Sequence, residues 1–341
     1  MDKPGHFFLG VACVFLICLN SPAQYDPITP HTGTVAVERI AVYFIHQMRF
    51  ASPLRYPGGK QKLAPFILEV MEKNGLVGGD YAETYAGGAG VAVQLLLSGK
   101  VARIHLNDSW YPLHAFWRSV IYKTEELCRR VKDTPLTVKE WLRQKEIISR
   151  PWEFDQIDLG FSMFYLNRCN RSGIIHHGGV IGGLKQNGEW KMGARFPRNE
   201  LIKRIEAIAA RHSSIILKNW DAERFIGEHI PTMPERSMIY LDPPYFHKAE
   251  RLYLNHYEES DHLRIANVVQ NKIQRPWIIS YDCTPKIVQF YSKRTMFWYR
   301  LQYNAANVYK GKELIVVSDS LRLPKHSILP FIDRRLITAK T

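Results

Sequence analysis

The chain has 341 residues, enough for one large α/β domain with an inserted segment of ordinary size. Forty-six Lys and Arg face 32 Asp and Glu, a formal net charge of +14 that suits a polyanionic partner, because each phosphate neutralised releases counterions. An apolar content of 46% with 12% aromatics excludes a wholly disordered chain, and five cysteines without a CxxC pair argue against a zinc ribbon and for reduced thiols in a cytosol.

Residues 1–24 read like a secretory signal, with Lys3, an apolar run from Phe7 to Leu19, and then Ser21-Pro22-Ala23. That run is too short to cross a bilayer as a helix. Met48-Arg49-Phe50 opens directly onto the first recognisable motif. The expectation is therefore a start at Met48, with residues 1–47 a spurious, poorly ordered extension. A genuine export signal is the competing reading.

From residue 80 the pattern alternates between strands and helices. Asp80 to Glu83 leads into a Gly-rich turn, Ala86-Gly87-Gly88-Ala89-Gly90, and Val91 to Leu97 reads as a helix ended near Ser98-Gly99. Val101 to Leu106 is a second strand, closing a βαβ unit and implying a parallel sheet. Residues 110–170 carry helical spacing, and 171–200 are rich in Gly, His and Asn, as in exposed binding loops. His176-His177 lies in that stretch and reads as loop polarity, with no metal expected. Leu201 to Ala210 restores a helix and Ser214 to Leu217 a strand. Ser237 to Leu241 is a short apolar strand, followed by a helix at Asp261 to Gln270 and strands at Trp277 to Ser280 and Glu313 to Ser318. The expected architecture is an open α/β sheet interrupted by a separate, mainly helical module.

Two stretches carry chemistry. Glycines between a strand and a helix let the backbone approach a ligand, and an acid at the end of the next strand can bind a ribose diol. Asp108, eighteen residues after Gly90, fits that role, although a mere tight turn or another nucleotide enzyme would share the pattern. Asp242-Pro243-Pro244-Tyr245 is sharper. Two prolines cannot continue a ladder, so the chain must turn at the strand's carboxyl end, where open α/β sheets bind ligands. A carboxylate, a proline carbonyl and an aromatic face together complement a flat ring bearing an exocyclic amine. A plain Asp-Pro-Pro surface turn is the bland alternative.

With these motifs the chain resembles the Dam-type (D12 class) DNA adenine-N6 methyltransferases, from Arg49 to about Leu321. Arg55-Tyr56-Pro57-Gly58-Gly59-Lys60 resembles the family's N-terminal motif, Glu83 through Gly90 its Gly-rich motif, and Asn219-Trp220-Asp221 the segment near the cofactor's adenine. Phe164-Tyr165-Leu166-Asn167-Arg168 resembles the opening of the target-recognition module, and Asp242 to Tyr245 the catalytic motif. The order of motifs is that of the alpha group. Tyr56 stands where the family often has Trp, and Thr84 where Pro is common.

The resemblance implies a Rossmann-like S-adenosylmethionine-dependent methyltransferase sheet, formed by residues 48–112 and 212–322, with a recognition insert at 113–211 and a tail at 323–341. It implies S-adenosylmethionine as cofactor, held by Tyr56, Lys60, Glu83, Gly88, Gly90, Asp108, Asp221 and Asp242. It implies an adenine flipped out of double-stranded DNA, with Tyr245 stacking on it and Asp242 and the Pro243 carbonyl accepting from N6. Asn167, Arg168, Arg171, Lys185 and Arg195 are the expected DNA contacts. A cytoplasmic monomer follows, with no membrane contact and no obligate protein partner. An RNA base methyltransferase, acting on adenine-N6 or guanine-N2, is the nearest rival. The Lys60 motif upstream of the glycines and the long insert favour DNA. The recognition sequence, and any link to a restriction partner, stay open.

Overall fold

A computed structural model of the protein describes residues 51–55, 60–246, 257–304 and 308–324. Residues 1–47, Tyr56 and nearly all of the 323–341 tail lie outside the described residues, so the expectations placed on them are not addressed. The described residues fall in one compact unit, Arg49–Thr341.

Seven strands form one sheet among the described residues. They are β1 (Asp80–Glu83), β2 (Arg103–Asn107), β3 (Ile215–Lys218), β4 (Ser237–Leu241), β5 (Trp277–Asp282), β6 (Thr295–Asn304) and β7 (Val308–Val317). Their order across the sheet is β3-β2-β1-β4-β5-β7-β6. The first five run parallel. β7 is antiparallel to both β5 and β6. The chain thus builds outward from β1 in one direction, then resumes at β4 in the other. The crevice between the carboxyl ends of β1 and β4 is the topological switch point, where such sheets bind ligands.

The parallel strands are covered on both faces. On β4, Met238 and Tyr240 join one core while Ile239 and Leu241 join the other, the period of two expected of a strand. One face is covered by α1 (Ala64–Lys73), α2 (Gly90–Leu97), α3 (Tyr111–Tyr122) and the helices that follow it. These are α4 (Thr124–Asp133), α5 (Val138–Ser149), α6 (Gln156–Cys169) and α7 (Arg198–Ala209). The other face is covered by the short helical stretch from Ala222 to His229, α8 (Glu259–Lys272) and α9 (Pro285–Phe290).

Two differences from the sequence reading have physical causes. The antiparallel β6–β7 pair was read only as a late strand at Glu313 to Ser318. β6 is covered on both faces, with Met296 in one core and Phe297 and Tyr299 in the other, so it lacks the apolar–polar alternation of a half-exposed strand. The helical stretch read as a separate module shares the core of the sheet. Phe116, Phe164 and Leu201 belong to the same apolar cluster as Ile104 and Met238.

Close packing inside that stretch rests on one glycine. A Cβ on Gly160 of α6 would lie 2.6 Å from the Ala115 carbonyl oxygen of α3 and 2.8 Å from Ser119 Oγ. Beside it, Phe116 and Phe164 stack with centroids 5.6 Å apart. On the far side of the sheet a polar chain ties β1, β2 and the stretch after β3. Asp80 Oδ2 lies 3.0 Å from His105 Nε2, and His105 Nδ1 lies 2.8 Å from His229 Nε2. Burial, with His105 next in effect, pushes the His229 imidazole down to about 4, so the pair shares one neutral donor and one neutral acceptor.

Gly160→Ala forces the α3–α6 backbones apart and is expected to destabilise the protein by about 1–3 kcal/mol. Urea denaturation checks this; an unchanged midpoint would show that the two helices can separate at no cost.

Candidate active site

The carboxyl ends of β1, β2, β3 and β4 converge on one edge, and each has a polar residue at its end or directly after it. β1 ends in Glu83, which is buried and accepts the Ala92 N–H of α2 at 2.9 Å. Burial pushes its carboxyl up to about 8, opposed by the Ala92 bond and reinforced by nearby Asp242. The turn after β1 crosses into α2 through two left-handed positions, Gly87 at φ 48° and Ala89 at φ 46°. A left-handed alanine costs about 1–2 kcal/mol, and such strain gathers where a backbone must approach a ligand.

Asp108, just past β2, holds this turn in place. Its Oδ2 accepts the Gly87 N–H at 3.1 Å and its Oδ1 accepts the Trp110 N–H at 3.0 Å. Burial pushes this carboxyl up to about 6 despite those two bonds. The end of β3 is stitched to the end of β2 by side-chain amides. Asn107 Nδ2 donates to the Thr84 and Trp220 carbonyls at 3.0 Å each, and Asn219 Nδ2 donates to the Asp108 carbonyl at 2.7 Å. Asp221 is exposed and caps the turn that follows, accepting the Arg224 N–H at 2.9 Å. Trp220 meets two cations, with Arg224 Cζ 4.2 Å and Lys218 Nζ 4.6 Å from its ring centroid.

β4 ends at Leu241, and Asp242 leads the Pro-Pro turn. Its carboxylate receives the Lys60 ammonium, with Nζ 3.0 Å from each oxygen. Ser280 of β5 donates to Asp242 Oδ1 at 2.9 Å, and the Tyr240 hydroxyl reaches Ser280 at 2.8 Å. The Asp242 side chain keeps 23% exposure, whereas Lys60 has 4%. Pro243 is buried and Pro244 partly so. Phe246, just after the motif, donates its backbone N–H to Asp282 Oδ1 at 2.9 Å.

Tyr245 is buried, its ring centroid 4.8 Å from Lys60 Nζ, and its hydroxyl donates to Glu313 Oε1 at 2.6 Å. The hydroxyl is therefore engaged. Removing it would strip a donor from a buried carboxylate, a role beside the stacking expected of the ring. Glu313 also accepts from Tyr299 and lies 3.7 Å from Lys60 Nζ. Glu313, Ser280 and Tyr299 were missed by the sequence reading. Their trace there is slight: a lone acid opening the apolar run Leu314 to Val317, and a serine inside another such run.

The structure therefore gathers Lys60, Glu83, Gly88, Gly90, Asp108, Asp221 and Asp242 along one edge of the sheet. The expected DNA contacts divide. Arg171, Lys185 and Arg195 are exposed in the Gly-rich stretch. Asn167 is buried, and its amide is used up on backbone. It accepts the Arg55 N–H at 2.8 Å and donates to the Arg55 and Gly173 carbonyls at 2.8 and 3.1 Å. The expectation of DNA contact at Asn167 is corrected to a clamp joining the 51–55 segment to the loop after α6. Arg168 is also buried, and burial beside Arg55, Arg204 and Arg195 pulls its guanidinium down to about 9. His176 packs against Trp110 with ring centroids 5.2 Å apart. Among the described residues no group of three or more His, Cys, Asp or Glu could hold a metal ion. Among them, too, no helix is long and apolar enough to cross a membrane.

The D12 class N6 adenine-specific DNA methyltransferase family model matches residues 56–308, most of the chain. The chain belongs to this family. The Rossmann-like methyltransferase fold and methyl transfer to adenine follow for this D12-class protein. No curated protein matches the chain. Solved structures similar to it include a conserved hypothetical protein from Streptococcus pyogenes, at 12% identity over 73% of this chain and 92% of that one, with a TM-score of 0.31. The rRNA methyltransferase aviRa from Streptomyces viridochromogenes shows 10% identity over 78% and 86%, with a TM-score of 0.32. Protein LPL1258 from Legionella pneumophila shows 9% over 76% and 86%, at 0.29. Nothing further follows from likeness at these scores.

Lys60 forms an ion pair with both Asp242 and Glu313. Replacing it with Met leaves two carboxylates, one fully buried, without it, and about 3–5 kcal/mol of stability should be lost. Burial already raises the Glu313 carboxyl, which Lys60 opposes. In the variant the folded-state carboxyl rises further above its unfolded value, so that contribution is present at low pH and lost as pH rises. Denaturation of Lys60→Met should therefore show a larger deficit at alkaline than at mildly acidic pH. A deficit independent of pH would mean that Lys60 does not act through these carboxylates.

Proposed function

We propose that the protein transfers a methyl group from S-adenosylmethionine to N6 of an adenine flipped out of a specific double-stranded DNA sequence. The observation that carries this reading is the Asp242 carboxylate, held by Lys60 and Ser280 at the switch point next to the strained Gly-rich turn.

The residues present suit the cofactor. Gly87 and Ala89 bend the backbone into a cradle, and the Gly90 Cα sits so close to Gln61 that an added Cβ would lie 3.0 Å from Gln61 Cβ. Asp108 and Glu83 would supply acceptors for the ribose diol and the methionine amine, and Trp220 and Asp221 would lie on the adenine side. When bound, S-adenosylmethionine supplies a methyl group on a positively charged sulfur.

A paired adenine hides its amine in the stack, so the base must be extruded, and Tyr245 stacks on it. N6 is a poor nucleophile because its lone pair is delocalised into the ring. Asp242 and the Pro243 carbonyl accept its two N–H bonds, which draws the lone pair toward the nitrogen and stabilises the positive charge that grows during attack. Lys60 and Ser280 hold the carboxylate oriented before the base arrives, so no reorganisation is needed at that moment.

The DNA reading gains support from the arginine cluster. Burial lowers the proton affinity of the Arg168 guanidinium, and Arg55, Arg204 and Arg195 beside it lower it further; burial and then Arg195 do the same to Arg55. Arg168 Nε is buried with no hydrogen-bond partner. Such a group is stabilised by a phosphate, the anion that accepts from a guanidinium fork.

Asp242→Ala should leave the fold intact and slow single-turnover transfer of labelled methyl to duplex DNA by on the order of 10²-fold or more. Near-normal transfer by the folded variant would overturn the mechanism, and transfer by the native protein to RNA in preference to DNA would overturn the substrate. Arg168→Met should raise the urea midpoint, because it removes a buried, repelled charge, and at the same time weaken DNA binding and flatten its salt dependence by roughly one unit. A stabilised variant with unchanged DNA affinity would remove Arg168 from the interface.

A further inference from the structure

Glu313 lies beyond residue 308, where the family match ends, and no motif of the sequence contains it. β7 pairs it with Asp282 of β5 on one side and Tyr299 of β6 on the other. Its side chain has 1% exposure, yet it is fully engaged. One oxygen accepts the Tyr245 hydroxyl at 2.6 Å, the other accepts from Tyr299, and Lys60 Nζ stands 3.7 Å away. A buried carboxylate costs several kcal/mol unless its partners compensate, so packing alone would favour an apolar residue at this position.

The bonds have a geometric consequence. The backbone of Tyr245 is restrained by Pro243 and Pro244, whose ring closures hold φ. Its ring tip is restrained by Glu313. A tyrosine has two side-chain torsions, and anchoring both ends of the side chain leaves it little room to rotate. The same carboxylate draws Lys60 toward the interior, which fixes how the ammonium divides between Glu313 and Asp242.

We propose that Glu313 is a positioning residue for methyl transfer, pinning the Tyr245 ring and the Lys60 ammonium so that Asp242 and the aromatic face meet the extruded adenine in one geometry. The proposal rests on the adenine-transfer reading above and extends it to the far strand of the sheet. Glu313 does not touch the base. It acts through Tyr245 and Lys60.

The test is a double-mutant cycle in the full chain, using Glu313→Gln, Tyr245→Phe and the pair together. Single-turnover transfer of labelled methyl to unmethylated plasmid DNA is measured at saturating DNA and cofactor. S-adenosylmethionine affinity is measured separately by calorimetry. Each single substitution should slow transfer about tenfold, cofactor affinity should change by less than about threefold, and the double variant should be about as slow as either single one. Effects that multiply, native rates, or a loss of cofactor affinity equal to the loss of rate would each overturn the proposal. If Glu313→Gln does not fold, Tyr299→Phe replaces it. That change leaves the Tyr245 bond in place, so it should slow transfer clearly less than Tyr245→Phe, and equal losses would reduce Glu313 to a scaffold. A native protein that methylates no DNA would sink the functional reading itself, whereas native activity with indifferent variants would sink only this inference.

Discussion

A lysine ammonium taken out of water must be compensated by nearby acceptors, and in this protein that requirement joins three distant parts of the chain. Lys60 comes from the segment ahead of the sheet, Asp242 from the turn after β4, and Glu313 from the last strand. None of the three could be buried alone without a penalty of several kcal/mol. Together they pull the N-terminal segment over the switch point and fix where the Pro-Pro turn leaves the sheet. The two carboxylates differ in what surrounds them. Glu313 is sealed by two tyrosine hydroxyls, while Asp242 keeps an exposed side. One holds the framework, and the other faces the crevice.

The rest of the crevice is organised by polar side chains that satisfy backbone groups. Asp108 receives two N–H bonds from the turn and the start of α3, and Asn107 closes the gap between the ends of β1 and β3. These residues lie at strand ends, where ladder bonds stop and carbonyls and N–H groups would otherwise go without partners. The carboxylates used this way cannot also be fully hydrated, which is why burial raises both Glu83 and Asp108. A site built from half-satisfied acceptors is prepared for ligand donors. Its framework already holds each acceptor in place, so little ordering is left to be done on binding.

The arginine cluster is the opposite case. Arg168 on α6 is surrounded by other arginines, and its Nε lacks a partner. Such an arrangement weakens the free protein and favours an anionic ligand, a trade in which stability is sacrificed for binding. It sits where α6 meets the 51–55 segment, tied there by the three bonds of Asn167. The glycine-rich stretch after α6 therefore starts from a rigid base and presents Arg171, Lys185 and Arg195 from its exposed side.

The sequence by itself determined the order of the chemistry. Glycines after an apolar strand, an acid at the end of the next strand, and Asp-Pro-Pro-Tyr after a third need only local rules: backbone freedom, strand period and the inability of proline to stay in a ladder. Those rules placed Glu83, Asp108 and Asp242 at strand ends before any contact was known. What local rules could not see was set by pairing across long stretches of chain. Glu313 meets Tyr245 only because β7 turns back antiparallel beside β5, and Asn167 meets Arg55 only because α6 packs against the 51–55 segment. The burial of Arg168, and the use of the Asn167 amide on backbone in place of DNA, are likewise consequences of helix packing, since a residue on a helix carries no mark of which neighbour will cover it. Tertiary structure decided these because desolvation and hydrogen-bond completion depend on the whole surroundings of a side chain, whereas turns and strands depend on a few adjacent residues.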